Sequence, residues 1–80
     1  MNIIKLTNPI KIDGKDIFEI QMRRPKVRDR LVVERSNASD AQKEVQLVAN
    51  LAELPIEVIE EIDLADYTKL QKALSDFLSV

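Results

Sequence analysis

The sequence predicts an α+β fold: an N-terminal β-hairpin followed by three to four α-helices packed in a small single domain. Three observations predict it. Apolar and polar residues alternate through the first quarter on either side of Asp13-Gly14. From Val27 onward the apolar positions recur at spacings of three and four, the period of a helix. Pro55 and Asp63 then divide the second half into helical segments. The chain has 80 residues, enough for one domain, read as a hairpin over 1–24 and a helical part over 26–80.

In the hairpin, Ile4, Leu6, Ile10 and Ile12 alternate with polar residues, as do Phe18, Ile20 and Met22. A two-residue Asp13-Gly14 loop would pair Ile12 with Lys15 and set Ile10 and Ile12 on the opposite face from Phe18 and Ile20. An odd loop keeps them together, which favours a three-residue bulged turn with Gly14 left-handed; Ile17, on the other face, keeps the even register open. Pro9 cannot donate to a ladder, so the first strand is an edge at that point. A lone hairpin is marginal in water, and its apolar face must rest on the helices or on a second subunit.

Arg24 and Pro25 end the second strand. Lys26 to Arg35 then spans about two and a half helical turns, with Val27 and Leu31 on one face. Ser36 to Ser39 is a polar connector too short to separate domains. Ser39 or Asp40 can cap the next helix, with Lys43 or Glu44 in its first turn. In Ala41 to Leu54, one apolar row is Ala41, Val45, Val48 and Ala52, and the row beside it is Leu47, Leu51 and Leu54. At about 100° per residue the two rows cover roughly half the circumference, wide for a helix with one neighbour. Pro55 must end that helix, since it lacks an N–H and disfavours helical geometry at Leu54, yet it suits the first turn of a short helix to Ile62. Asp63 can cap a last amphipathic helix carrying Leu64, Tyr67, Leu70, Leu74, Phe77 and Leu78.

Composition excludes most chemistry. With no His, Cys or Trp, the chain lacks the usual ligands for zinc, copper or iron–sulfur centres and the commonest general base near neutral pH. One Gly is too few for a phosphate loop or a dinucleotide fingerprint. Glu57, Glu60, Glu61, Asp63 and Asp66 match no EF-hand spacing and read as a solvated acidic face. Ser36, Ser39 and Thr68 have no His to activate them. The expectation is a non-enzyme with no catalytic, metal or cofactor residues. No stretch approaches the roughly 20 apolar residues of a membrane span, so a soluble, intracellular protein is expected.

Residues 1–40 carry nine Lys and Arg against six Asp and Glu, net +3, and residues 41–80 carry three against eight, net −5. Arg23, Arg24, Lys26, Arg28, Arg30 and Arg35 could form a phosphate patch, which would make a nucleic-acid-binding regulator. Asp29 and Glu34 interrupt the cluster and no aromatic platform accompanies it, so a solvated face that complements the acidic segment, within one molecule or between copies, is preferred. A core of this size supplies only about 3–5 kcal/mol without staples, so association with itself or another protein is expected. The stripe on the last helix serves core packing or docks a partner helix; the candidate partner-binding residues are Tyr67, Leu70, Leu74, Phe77 and Leu78.

The segment Pro9 to Asp29, with its Pro-Ile strand, Asp-Gly turn and second strand ending in Arg-Arg-Pro-Lys-Val-Arg-Asp, resembles the N-terminal half of tail assembly chaperones of Mu-like and P2-like contractile-tailed bacteriophages. Leu51, Leu54, Pro55, Val58, Ile59, Asp66, Tyr67, Leu70, Leu74 and Phe77 resemble the second half, and Lys26-Val27-Arg28 departs from the small residue or Thr that follows the proline in the family. The resemblance implies a non-catalytic chaperone that binds the tape measure protein and keeps it soluble until the tail tube polymerises. It also implies action in the host bacterial cytoplasm, absence from the mature virion, and a frameshifted long form as a further partner. A structural or adaptor subunit of the tail is the alternative.

Overall fold

The computed structural model describes residues 2–79. Two antiparallel strands, β1 (Asn2–Ile12) and β2 (Lys15–Met22), form a hairpin. Four helices follow: α1 (Val27–Glu34), α2 (Asp40–Ala52), α3 (Ile56–Glu60) and α4 (Leu64–Leu78). The architecture is the expected α+β one.

The hairpin corrects the expected turn. Ile12 pairs with Lys15 across a two-residue loop in which Asp13 (φ 51°) and Gly14 (φ 79°) are both left-handed. This mirror-image turn follows the right-handed twist of the strands. The odd offset lies elsewhere: Lys5 pairs with Glu19 and Ile10 with Ile17, so residues 6–9 stand opposite Phe18 alone. Three extra residues in β1 exchange the two faces of the hairpin. Ile4, Leu6, Ile20 and Met22 are buried at one end, whereas Ile10 is buried and Ile12 and Ile17 are half-buried near the turn. Phe18, expected to share the core face with Ile20, sits opposite the bulge and is 60% exposed. Pro9 falls inside the bulge, where no ladder bond is asked of it.

The helix boundaries follow local chemistry. Ser39 caps α2: its hydroxyl accepts from Gln42 N–H at 3.2 Å while the Gln42 amide oxygen accepts from Ser39 N–H at 3.1 Å, a reciprocal box. After α2, Glu53 is left-handed (φ 57°) and Leu54 N–H bonds back to Ala49 C=O at 3.1 Å. Helices commonly end this way, although Gly is the usual residue. Pro55 then opens α3, and Asp63 caps α4 by accepting from Ala65 N–H at 2.9 Å. Strands and helices share one buried cluster, with Ile20, Met22, Val48, Leu51 and Leu70 at its centre. Arg23 N–H donates to Leu51 C=O at 3.0 Å and ties the end of β2 to α2.

Candidate functional site: a cleft between α1, α2 and α4

Two buried carboxylates set the position of the helices around the cleft. Asp29, in the first turn of α1, accepts from Lys26 N–H at 2.7 Å and takes the Arg23 guanidinium bidentately, Nη2 to Oδ1 at 2.7 Å and Nη1 to Oδ2 at 2.9 Å. The Arg23 bonds and the Lys26 amide outweigh burial and hold its carboxyl down at a pKa of about 2. Asp66, in the first turn of α4, has no exposed surface and contradicts the solvated acidic face expected of it. It accepts from Asn8 N–H at 2.8 Å and Thr7 N–H at 2.9 Å, the amides that the β1 bulge releases from the ladder, and from Lys69 Nζ at 3.0 Å. The two backbone bonds, helped by Lys69, lower its pKa to about 2. Lys69 also reaches Lys5 C=O at 3.2 Å and Thr7 Oγ1 at 2.7 Å, closing the bulge onto α4.

The far end of α4 lies against the β2–α1 connection. Arg24 stands 5.5 Å from the Phe77 ring centroid and donates to Phe77 C=O at 3.4 Å. Midway, Tyr67 Oη donates to Glu44 Oε1 at 2.9 Å, which also accepts from Gln71 Nε2 at 2.8 Å. Burial and the neighbouring Glu44 push the Tyr67 phenol above its ordinary pKa, so it remains a neutral donor.

These contacts leave an open cleft of about 320 Å³. Val33 of α1, Leu47 of α2, and Leu74 and Leu78 of α4 form its apolar lining. Arg30, Glu34, Asp40, Lys43 and Glu44 form a polar rim, across which Lys43 Nζ approaches Glu34 Oε2 at 3.5 Å. The lining can take aliphatic or aromatic side chains, and the rim can orient a polar flank. It holds no nucleophile–base pair, and among the described residues no group of His, Cys, Asp and Glu could hold a metal ion.

Of the five side chains proposed from sequence, Leu74 and Leu78 meet at this cleft: Leu74 is 8% exposed in the lining, and Leu78 is 65% exposed at the lip. Leu70 is fully buried and Phe77 is 8% exposed, both in the core, while Tyr67 touches the rim only through its hydroxyl. The sequence stripe missed Val33 and Leu47, which join from other helices. The half-apolar circumference of α2 was the signal for Leu47, since one neighbour could not cover it. The arginine cluster is partly consumed: Arg23 holds Asp29 and Arg24 lies on Phe77.

The family model described as phage tail assembly chaperone proteins, E, or 41 or 14, matches residues 3–79. The chain belongs to that family. No curated protein and no solved structure matches it. A tail assembly chaperone works with a protein partner in the host cell while tails are built, and such proteins are generally non-catalytic. The chaperone's cleft, apolar within and charged at the rim, accords with contact to another polypeptide. Among its described residues, no helix is long and apolar enough to cross a membrane.

Proposed function

We propose that this chaperone binds the tape measure protein in the host cytoplasm, keeps its apolar segments soluble until the tail tube polymerises around them, and is absent from the finished virion. Binding needs no cofactor and no catalysis, and a frameshifted long form of the chain is a second partner. The family match over residues 3–79 carries this reading. The α1–α2–α4 cleft offers the place: Leu78 touches the partner at the lip and Leu74 from the lining. Tyr67, Leu70 and Phe77 contribute by holding α4 in position, since their side chains lie in the core.

Co-expression of the tagged chaperone with the tape measure protein tests it. The tape measure protein should become soluble and stay bound at high salt, because apolar contact is not screened. Leu78→Asp should lower the retained fraction at least roughly tenfold, the loss expected at a well-packed contact, with the far-ultraviolet circular dichroism unchanged. If wild type retains nothing, even with the long form present, the proposal fails. Detection of the chain in purified virions would favour a structural subunit.

A further inference from the structure

Most of α1 lies outside the core. Of its eight residues only Asp29 and Val33 are buried, while Val27 is 78% exposed, Leu31 55% and Val32 53%. Val33 itself stands apart from the contiguous core cluster that the strands and the other helices share. A helix that exposes three apolar side chains and buries one is not held in place by apolar burial, and such elements open locally at less cost than the core. Yet this helix forms one wall of the cleft, through Arg30, Val33 and Glu34.

The two ends of α1 are anchored unequally. At its start, Asp29 binds the Arg23 guanidinium and the Lys26 amide. That connection is itself fixed, because Arg23 N–H donates to Leu51 C=O and the Arg24 guanidinium donates to Phe77 C=O. At its end, Glu34 meets Lys43 at 3.5 Å with its carboxylate in solvent, a pair of little strength in water. The connector to α2 bonds only to its neighbours: Ser36 N–H to Val33 C=O at 3.1 Å, Ala38 N–H to Ser36 Oγ at 3.0 Å, and Ser39 N–H to Gln42 Oε1 at 3.1 Å. Among the described residues, no hydrogen bond ties it to the strands or to α4.

The cleft as it stands is small for a polypeptide. Its volume of about 320 Å³ is at the low end of the roughly 300–1,000 Å³ of small-molecule pockets. An amphipathic helix docks instead through anchors on several successive turns. We infer that α1 is a hinged lid on this cleft: it pivots at the Arg23–Asp29 pair, its far end swings away from α2 and α4, and the opened site takes the apolar stripe of a client helix on Leu47, Leu74 and Leu78. Closure shields the lining when no client is bound, and opening exchanges the contacts of Val33 for those of the client. The motion belongs to the chain alone, whereas the identity of the client rests on the tape measure reading above.

Thiol labelling reads the motion. The chain has no Cys, so Val33→Cys and Val48→Cys each place a single thiol at a buried valine, one on the inner side of the lid and one in the core. Without denaturant, Val33→Cys should react with a maleimide at least roughly tenfold faster than Val48→Cys, since the first is uncovered when α1 opens and the second only when the fold does. Circular dichroism checks that both are folded, and equal rates would overturn the lid. A second pair, Glu34→Cys with Lys43→Cys, joined by a short bis-maleimide, fastens the far end of α1 to α2. Compared with the same protein capped by N-ethylmaleimide, the fastened form should retain at least roughly tenfold less tape measure protein, because only the open state binds. Equal retention by the two forms would also overturn the lid. Fast labelling of Val33→Cys alongside no retention by wild type would support the lid and refute the client, so the two failures are distinct.

Discussion

Leu70→Ala and Leu78→Ala make the same chemical change eight residues apart on α4, and the structure assigns them opposite consequences. Leu70 is 0% exposed at the centre of the core, whereas Leu78 is 65% exposed at the lip of the cleft. Truncation at Leu70 removes three buried carbons, worth roughly 2.4 kcal/mol at about 0.8 kcal/mol each. The cavity left behind adds to this, and buried Leu→Ala changes cost about 2.7–5 kcal/mol in total. Against the roughly 3–5 kcal/mol that a core of this size supplies, the variant should sit near its unfolding midpoint in water. At Leu78 only about a third of the side chain is covered, and the cost should stay below about 1 kcal/mol. Urea titration of dilute protein, followed by far-ultraviolet circular dichroism, reads the difference. With a slope of about 1 kcal/mol per molar, the Leu70→Ala midpoint should fall by roughly 3 M and the Leu78→Ala midpoint by less than about 1 M. Tape measure binding should show the reverse ranking per unit of stability lost. Equal midpoints, or a stable Leu70→Ala that no longer binds, would refute the division of α4 into a core side and a docking lip.

Acid should unfold the protein through Asp29 and Asp66. Both carboxyls are held at about 2 in the folded state against an ordinary 3.8, so the unfolded state takes up protons first as pH falls. Their contribution is complete above about pH 5 and is lost as pH drops towards 2; Asp66→Asn should flatten that loss and speed hydrogen exchange at the Thr7 and Asn8 amides, and an unchanged profile would contradict the clamp. Glu53→Gly should raise stability by about 0.5–1 kcal/mol, because Glu53 adopts φ 57° after α2, where a Cβ is strained. Thermal melts would show this as a rise of a few degrees, and a fall would mean that the Glu53 side chain contributes more than its backbone strain costs.

Local signals were legible wherever neighbouring residues decide the geometry. Asp13-Gly14 marked the turn, Ser39 and Asp63 marked caps, and Pro55 marked the α2–α3 junction, each through bonds or dihedral limits a few residues long. The hairpin shows where that stops. The face pattern demanded an odd offset between the strands, and an odd offset exists, but at residues 6–9 rather than at the turn. The bulge depends on Asp66, 58 and 59 residues away, to accept the amides of Asn8 and Thr7, and no local pattern announces such a partner. The α4 stripe has the same limit, since periodicity shows that Leu70, Leu74 and Leu78 share a side without saying which of them a neighbour covers.

Sequence alone thus determined the order of elements, the absence of imidazole and thiol chemistry, the opposed charges of the two halves and the resemblance to tail assembly chaperones. The packed chain decided that Asp66 is a buried clamp, that Leu74 and Leu78 open onto a cleft completed by Val33 and Leu47, and that Val27 and Leu31 face solvent. The division follows from range. Dihedral preference, capping and periodicity are properties of neighbouring residues, whereas burial and the pairing of a carboxylate depend on which distant segment arrives beside it.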